Sequence, residues 1–307
     1  MYFIGVSTAG SMIMKVFPVW SRILGLGDCE LRGIDLALHD DPRSYRAVVE
    51  FIRDDPLSLG ALVTTHKIDL LHAARDLFDE LDGFAALMGE VSAIAKSGGR
   101  LTGAAKDPIS SGLALRAFVP AGYWEKNGAC ALLLGAGGSS IALSSYLADR
   151  ARGADRPARI FVTNRSAGRL DAIQAIHRAQ SVDIPVRYEL TPRPEDNDAV
   201  LSQLPPGSLV ANATGLGKDG PGSPITDGAL FPTDAFAWDF NYRGELAFLR
   251  QARAQEASRR LLVEDGWLYF VYGWLSVIAE VFHRDIPLRG PEFDRLRAAA
   301  DQERPRA

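Results

Sequence analysis

Three groups of residues have types and spacings that could do chemistry. In LLLGAGGSSIA, Gly135, Gly137 and Gly138 lie between a strand-like run and a helix-like run. One glycine makes the tight turn, and another lets the backbone approach a pyrophosphate. The following helix offers free N–H groups and the positive end of its dipole. Ser140 takes the third position of that pattern and is small enough for close helix packing. A tight turn can be purely structural, but a strand before it and a helix after it favour dinucleotide binding. The next strand ends in TNRSAGR. An acid there would grip a ribose 2′-hydroxyl and select NAD. Arg165 and Arg169 stand there instead, and a guanidinium fork suits a phosphate. The pattern therefore reads as NADP, the alternative being two solvated surface charges.

The third group is LVTTHKIDLL, residues 62–71. Its first half closes an apolar, strand-like run and its second half opens a helical spacing. Lys67 thus sits at a strand-to-helix junction, where α/β folds present groups to a ligand. A lysine with a pKa lowered by burial can take or relay the proton of an alcohol as a hydride leaves its carbon. The alternative is a solvated lysine at a helix start, which the helix dipole disfavours. His66 is adjacent, and adjacent residues usually diverge in direction, so it is expected to line a cleft or face solvent. His39, His72, His177 and His283 show no partner pattern and read as structural or exposed.

The elements that position these residues alternate along the chain. YFIGV, CELRGIDL and LGALVTT read as strands, with helices MIMKVFPVWSRILGL, SYRAVVEFIRD and IDLLHAARDLFDEL between and after them. Pro18 must sit near a helix end or kink it. VSAIAKSGGRLTGAA reads as a hairpin around Gly98-Gly99. From ACALLLGAGG onward a new series begins: ARIFVTNRS, VRYELT, SLVANATGLG and AFAWDFNY as strands, with helices AGRLDAIQAIHRAQ and ELAFLRQARAQ. Such alternation predicts a parallel sheet. The expected division is residues 1–114, a nucleotide-binding domain at 115–265, and C-terminal helices at 266–307 returning to the first domain.

Composition narrows the classes. The 307 residues are 47% hydrophobic and 23% charged with net charge −4, which argues against a nucleic-acid footprint. Two cysteines, Cys29 and Cys130, cannot build a disulfide framework and suit a reducing compartment. No His/Cys cluster suggests a metal. MYFIGV reads as a strand rather than a signal peptide. WLYFVYGWLSVIAEVF is too short for a membrane span, so it is expected to be a buried helix, with its aromatics as core and Tyr272 either core or pocket wall. The expected protein is cytoplasmic, a monomer or homodimer, and acts on a small molecule.

These motifs together resemble the shikimate and quinate dehydrogenases over nearly the whole length. IGVSTAGS is similar to the family's opening substrate segment, VTTHK to its Val-Thr-x-x-x-Lys motif, and GRLTGAAKD to the segment ending Asn-Thr-Asp. LGAGGSSIA, NRSAGR, NATGLG, DFNYRGELAFL and DGWLYFVYG match the remaining motifs in order. The resemblance implies a two-domain α/β oxidoreductase: a Rossmann-type NADP domain and an α/β substrate domain completed by C-terminal helices, with the site in the cleft. It implies Lys67 and Asp107 as the catalytic pair. It implies NADP contacts from Gly135, Ala136, Gly137, Gly138, Ser139, Asn164, Arg165, Arg169, Ala213, Thr214 and Gly266. Ser11, Thr64, Ser92, Tyr242 and Tyr272 would face the substrate.

The departures fall in the substrate half. Ile13 replaces a second serine and Gly10 a histidine. VTTHK is one residue short and lacks a proline. Two substrate-binding asparagines appear as Ser92 and Ala105, and an expected glutamine falls at Gly273. The expected function is hydride transfer between NADP(H) and a small polar hydroxyl or keto compound, with shikimate a poor substrate. The rival expectation is a non-catalytic NADP(H)-binding sensor.

Overall fold

The computed structural model describes residues 1–218 and 220–304. The chain forms two compact units: Met1–Lys106 with the chain from Val271 onward, and Asp107–Phe270.

In the first unit, β1 (Tyr2–Gly5), α1 (Ile13–Leu24), β2 (Arg32–Asp35), α2 (Pro42–Asp54), β3 (Gly60–Val63), α3 (Lys67–Ala74), β4 (Glu80–Leu81), α4 (Gly83–Met88), β5 (Ala93–Ser97) and β6 (Arg100–Ala104) follow in order. The sheet runs β2-β1-β3-β5-β6-β4. It is mixed, not parallel throughout as the alternation predicted: β3–β5 and β5–β6 are antiparallel. The reason is the hairpin. Gly98 and Gly99 have φ of 56° and 80°, and two successive positive φ values make the tight turn that matches strand twist. Pro18 lies inside α1 rather than near an end. Val16, Phe17 and Trp20 are buried on either side of it, and Trp20 Nε1 donates to the Leu296 carbonyl at 2.7 Å. Packing of that apolar face carries the helix through the missing N–H.

In the second unit come α5 (Asp107–Arg116), α6 (Tyr123–Asn127), β7 (Ala131–Leu134), α7 (Gly138–Ala148), β8 (Ile160–Asn164), α8 (Ala167–Ala179), β9 (Val186–Leu190), α9 (Pro194–Leu201), β10 (Leu209–Asn212), β11 (Phe236–Asp239), α10 (Ala247–Ala254), α11 (Glu256–Arg259) and β12 (Leu262–Glu264). α12 (Trp267–Val281) crosses the division, and α13 (Pro291–Glu303) lies in the first unit. The sheet order β12-β11-β10-β7-β8-β9 is parallel throughout. This is the doubly wound order, with its switch point between β7 and β10. Those two strands and β11 are buried along their whole length, which is why they read as apolar runs up to the polar ends Asn212 and Asp239.

His177 is a core histidine. Its Nε2 meets Ser144 Oγ at 2.7 Å and its Nδ1 meets Tyr188 Oη at 2.7 Å. Burial pushes its pKa down to about 4, so both nitrogens are satisfied in the neutral ring. Among the described residues, no helix is long and apolar enough to cross a membrane, and no His/Cys/Asp/Glu group could hold a metal.

Candidate active site

At the switch point, β7 ends and Gly135 turns the chain with φ 106°. A Cβ there would sit 3.1 Å from the Ala213 carbonyl oxygen and from Thr214 Cγ2. The turn therefore lies directly against the segment after β10. Gly137 precedes α7, and a Cβ added to it would meet nothing within 4 Å. α7 has no side-chain cap and no acid in its first turn. The N–H groups of Gly138, Ser139 and Ser140 have no acceptor within the helix, so the backbone here is an open cradle for an anion. Ser140 Oγ donates to the Gly135 carbonyl at 2.6 Å, locking turn to helix.

β8 ends at Asn164, whose Nδ2 donates to the Ser166 carbonyl at 3.1 Å. Arg165 and Arg169 are both exposed, and the first turn of α8 carries no acid. This strand end can take a phosphate. After β10, Asn212 Oδ1 accepts from both the N–H and the hydroxyl of Thr214, at 3.1 and 2.6 Å. Gly266 completes this half. A Cβ there would fall 2.0 Å from the Phe240 carbonyl oxygen, so only glycine fits.

In the first unit, β1 and β3 are parallel neighbours, and the Thr64 N–H donates to the Ile4 carbonyl at 3.0 Å. Ser11 and Thr64 follow these strand ends, both half-buried. Thr65 has φ 60° and the His66 N–H donates to the Thr64 carbonyl. This is a three-residue turn with a positive central φ, a strained conformation for a β-branched residue. His66 is buried, not exposed to solvent. Its Nδ1 lies 3.1 Å from Tyr45 Oη, and burial lowers its pKa. Lys67 opens α3 half-buried, and its carbonyl accepts the Val91 N–H at 3.2 Å.

The remaining candidates divide. Ser92 is buried; its hydroxyl accepts the Lys106 N–H at 2.7 Å and donates to the Ala104 carbonyl at 3.4 Å. Both contacts tie its hydroxyl to the backbone of the turn that follows β6. Ile13 and Ala105 are fully buried. Tyr272 is buried with its ring stacked on Phe293 at 4.8 Å. Tyr242, in the second unit, packs against Trp267 and Phe270 at 5.4 and 4.9 Å. Asp107, the first residue of α5, is buried and belongs to the second unit, whereas Lys67 belongs to the first.

With this geometry in place, sequence comparison is informative. Over 235 residues the chain is 30% identical to the NADP(+) shikimate dehydrogenase of Methylobacterium radiotolerans, spanning 73% of this chain and 76% of that protein. The chain belongs to the shikimate dehydrogenase family. No family model matches it. Among solved structures, the shikimate 5-dehydrogenase of Thermus thermophilus in complex with NADP(H) and shikimate superposes with TM-score 0.70 at 23% identity, covering 98% of both chains. A ligand-free 5-ketofructose reductase of Gluconobacter superposes equally well, at 0.70 and 17% identity over 98% of this chain and 97% of that one. The shikimate dehydrogenase fold thus occurs in proteins named for different substrates.

Within this shikimate dehydrogenase family member, three residues escaped the sequence reading. Glu90 is a buried carboxylate immediately before Val91. Lys106 replaces the threonine of the Asn-Thr-Asp motif, and its Nζ pairs with Glu280 at 2.7 Å. Asp239 is fully buried at the end of β11. Only Glu90 gave a signal, as a charge at the mouth of the apolar run VSAIA.

Proposed function

We propose that this chain is an NADP-dependent oxidoreductase that transfers a hydride between NADP(H) and a small polar hydroxyl or keto compound. The observation that carries the reading is the uncapped start of α7 behind Gly135, with open space at Gly137. The relative from Methylobacterium radiotolerans, named an NADP(+) dehydrogenase, supports it.

In this reading Gly135–Ser139 and the first turn of α7 hold the pyrophosphate, Arg165 and Arg169 the 2′-phosphate, and Asn164, Ala213, Thr214 and Gly266 the rest of the cofactor. The bound dinucleotide supplies or accepts the hydride. Lys67 Nζ gives a proton to the substrate oxygen as a ketone is reduced, and takes it back in the reverse direction. Asp107 is the second catalytic residue of this reading. Ser11, Thr64, Tyr242 and Tyr272 face the substrate. A sensor without turnover is the weaker reading, because the curated relatives are named as dehydrogenases.

The substrate carries fewer hydroxyls than shikimate. Ser92 spends its hydroxyl on backbone, while Ala105 and Ile13 have none to give and are buried. A ring hydroxyl that loses water without gaining a partner costs about 1–3 kcal/mol. Two such losses lower specificity roughly 30-fold to 10⁴-fold. Steady-state kinetics with shikimate, quinate and a panel of cyclic ketones tests this. We expect NADPH oxidation with at least one ketone and weak turnover of shikimate. Tight NADPH binding with no ketone reduced points to the sensor, and a shikimate efficiency near about 10⁶ M⁻¹s⁻¹ overturns the substrate argument.

A further inference from the structure

The segment Asn212–Leu216 hangs from one carboxyl group. Asp239 Oδ1 accepts the Asn241 N–H at 2.9 Å and Asn212 Nδ2 at 3.1 Å. Asn212 Oδ1 then holds the N–H and hydroxyl of Thr214, at 3.1 and 2.6 Å. Asn241 Nδ2 holds the carbonyls of Thr214 and Leu216, at 3.1 and 3.2 Å. The carboxyl anchors the Asn212 side-chain amide and the Asn241 backbone N–H, and both asparagines act on the same loop. Asp239 Oδ2 is buried and makes no hydrogen bond.

Few charges bear on Asp239. Asp265, after β12, acts on it as a like charge, and Glu264 is registered beside Trp238. From β10 the facing group is the neutral Asn212, and β7 beyond it ends in Leu134. α10 packs on β11 through buried Phe248, Leu249 and Ala252 and leaves Arg250 and Arg253 exposed. The two tethered loops continue into Lys218, Arg243 and Glu245. An ionised carboxylate in this setting is costly, and burial pushes the Asp239 pKa up to about 7. The carboxyl changes charge near neutral pH.

In a doubly wound sheet a dinucleotide straddles the switch point, one mononucleotide on each half. The adenosine side is marked here by Gly135–Ser139 and Arg165, at the ends of β7 and β8. The ends of β10 and β11 then belong to the nicotinamide side. We propose that Asp239 is a positioning residue for this side, setting the Asn212–Leu216 loop and making the preference for oxidised over reduced NADP depend on its own proton. This rests on the NADP reading above. The oxidised ring carries a positive charge that the reduced ring lacks. Ionised Asp239 favours the oxidised form, and neutral Asp239 withdraws that advantage.

The decisive measurement is the ratio of NADPH to NADP+ dissociation constants between pH 6 and 8, by titration calorimetry without substrate. The 2′-phosphate and pyrophosphate are common to both ligands, so their titration cancels. In the unmodified protein the ratio should rise with pH by about fivefold or more, the usual scale of a coupling between sites. In Asp239→Asn, which keeps the Oδ1 acceptor and cannot ionise, it should stay flat. A flat ratio in the unmodified protein, or an equal rise in Asp239→Asn, overturns the inference. Failure of both nucleotides to bind sinks the NADP reading instead. Should Asp239→Asn not fold, the ¹³C carboxyl titration of Asp239 in the unmodified protein decides. Its pKa must be lower with NADP+ bound than with NADPH, and equality overturns the inference.

Discussion

The molecule has two strand-to-helix junctions that matter, and they are built on opposite principles. At β7–α7 the groups proposed to meet the ligand are backbone N–H groups, left open by an uncapped helix start and by Gly137. At β3–α3 the groups proposed to work are side chains, and the backbone before them is bent at Thr65. The first junction needs only glycine at Gly135 and Gly137, so it tolerates almost any surroundings. The second needs a strained Thr65, a buried His66 held by Tyr45, and Lys67 directly after them. A backbone site is generic, whereas a side-chain site is particular to its ligand. This is a physical reason for the cofactor motifs of this chain to match the family better than its substrate motifs.

The comparison can be broken at either junction. Lys67→Ala should cost about 10²–10⁴ in kcat, the range for a lost general acid–base group, with NADPH affinity nearly intact. Steady-state kinetics with the best ketone from the panel checks it, and full activity would remove β3–α3 from the chemistry. Next in size, replacing Arg165 and Arg169 together by alanine should erase roughly 10- to 100-fold of the NADPH-over-NADH preference, as expected for lost charge-assisted hydrogen bonds. Fluorescence titration with both cofactors measures it; equal affinities before mutation would make the arginines bystanders. The smallest effect belongs to Thr65→Gly. A positive φ costs a β-branched residue about 1–3 kcal/mol, and the greater freedom of glycine in the unfolded chain returns about 0.4–1 kcal/mol of that. Urea denaturation should therefore show a net stabilisation of about 1 kcal/mol. If kcat falls at the same time, the strain aims Lys67; if stability falls, the turn is not strained.

The same contrast explains what was legible in the sequence. Glycine turns announce themselves because only glycine supplies the φ of 106° at Gly135, and the parallel sheet of the second unit follows from strand–helix alternation. The Gly98-Gly99 hairpin was equally plain. The mixed sheet of the first unit was less so, because antiparallel β5 enters an otherwise alternating pattern through that same hairpin. Where α1 passes Pro18 was not legible, because propensity describes an isolated helix, while the buried face around Trp20 decides this one. The burial of His66 was hidden because the direction of a residue after a strained turn depends on φ at Thr65, which no local pattern encodes for threonine. That Ser92 takes the Lys106 N–H was not legible either, because the pairing is fixed by the register of β5 and β6. Asp239 sat unnoticed in DFNY because its importance lies in which amides fold back onto it.

The crowding at Gly266 also bears on how this scaffold could be re-engineered. Any side chain there collides with the Phe240 carbonyl oxygen, with 2.0 Å between them. Any substitution there must shift the Phe240 backbone, so randomising this position should yield mostly destabilised variants. Gly137 is the reverse case, since a methyl group there meets no protein atom within 4 Å. Variants at Gly137 should fold well and show their defect only when nucleotide is offered. A screen that reads folding and binding separately would sort these two glycines on its first pass, and would test whether the exposed Arg165 and Arg169 set cofactor choice as proposed, without cost to the core.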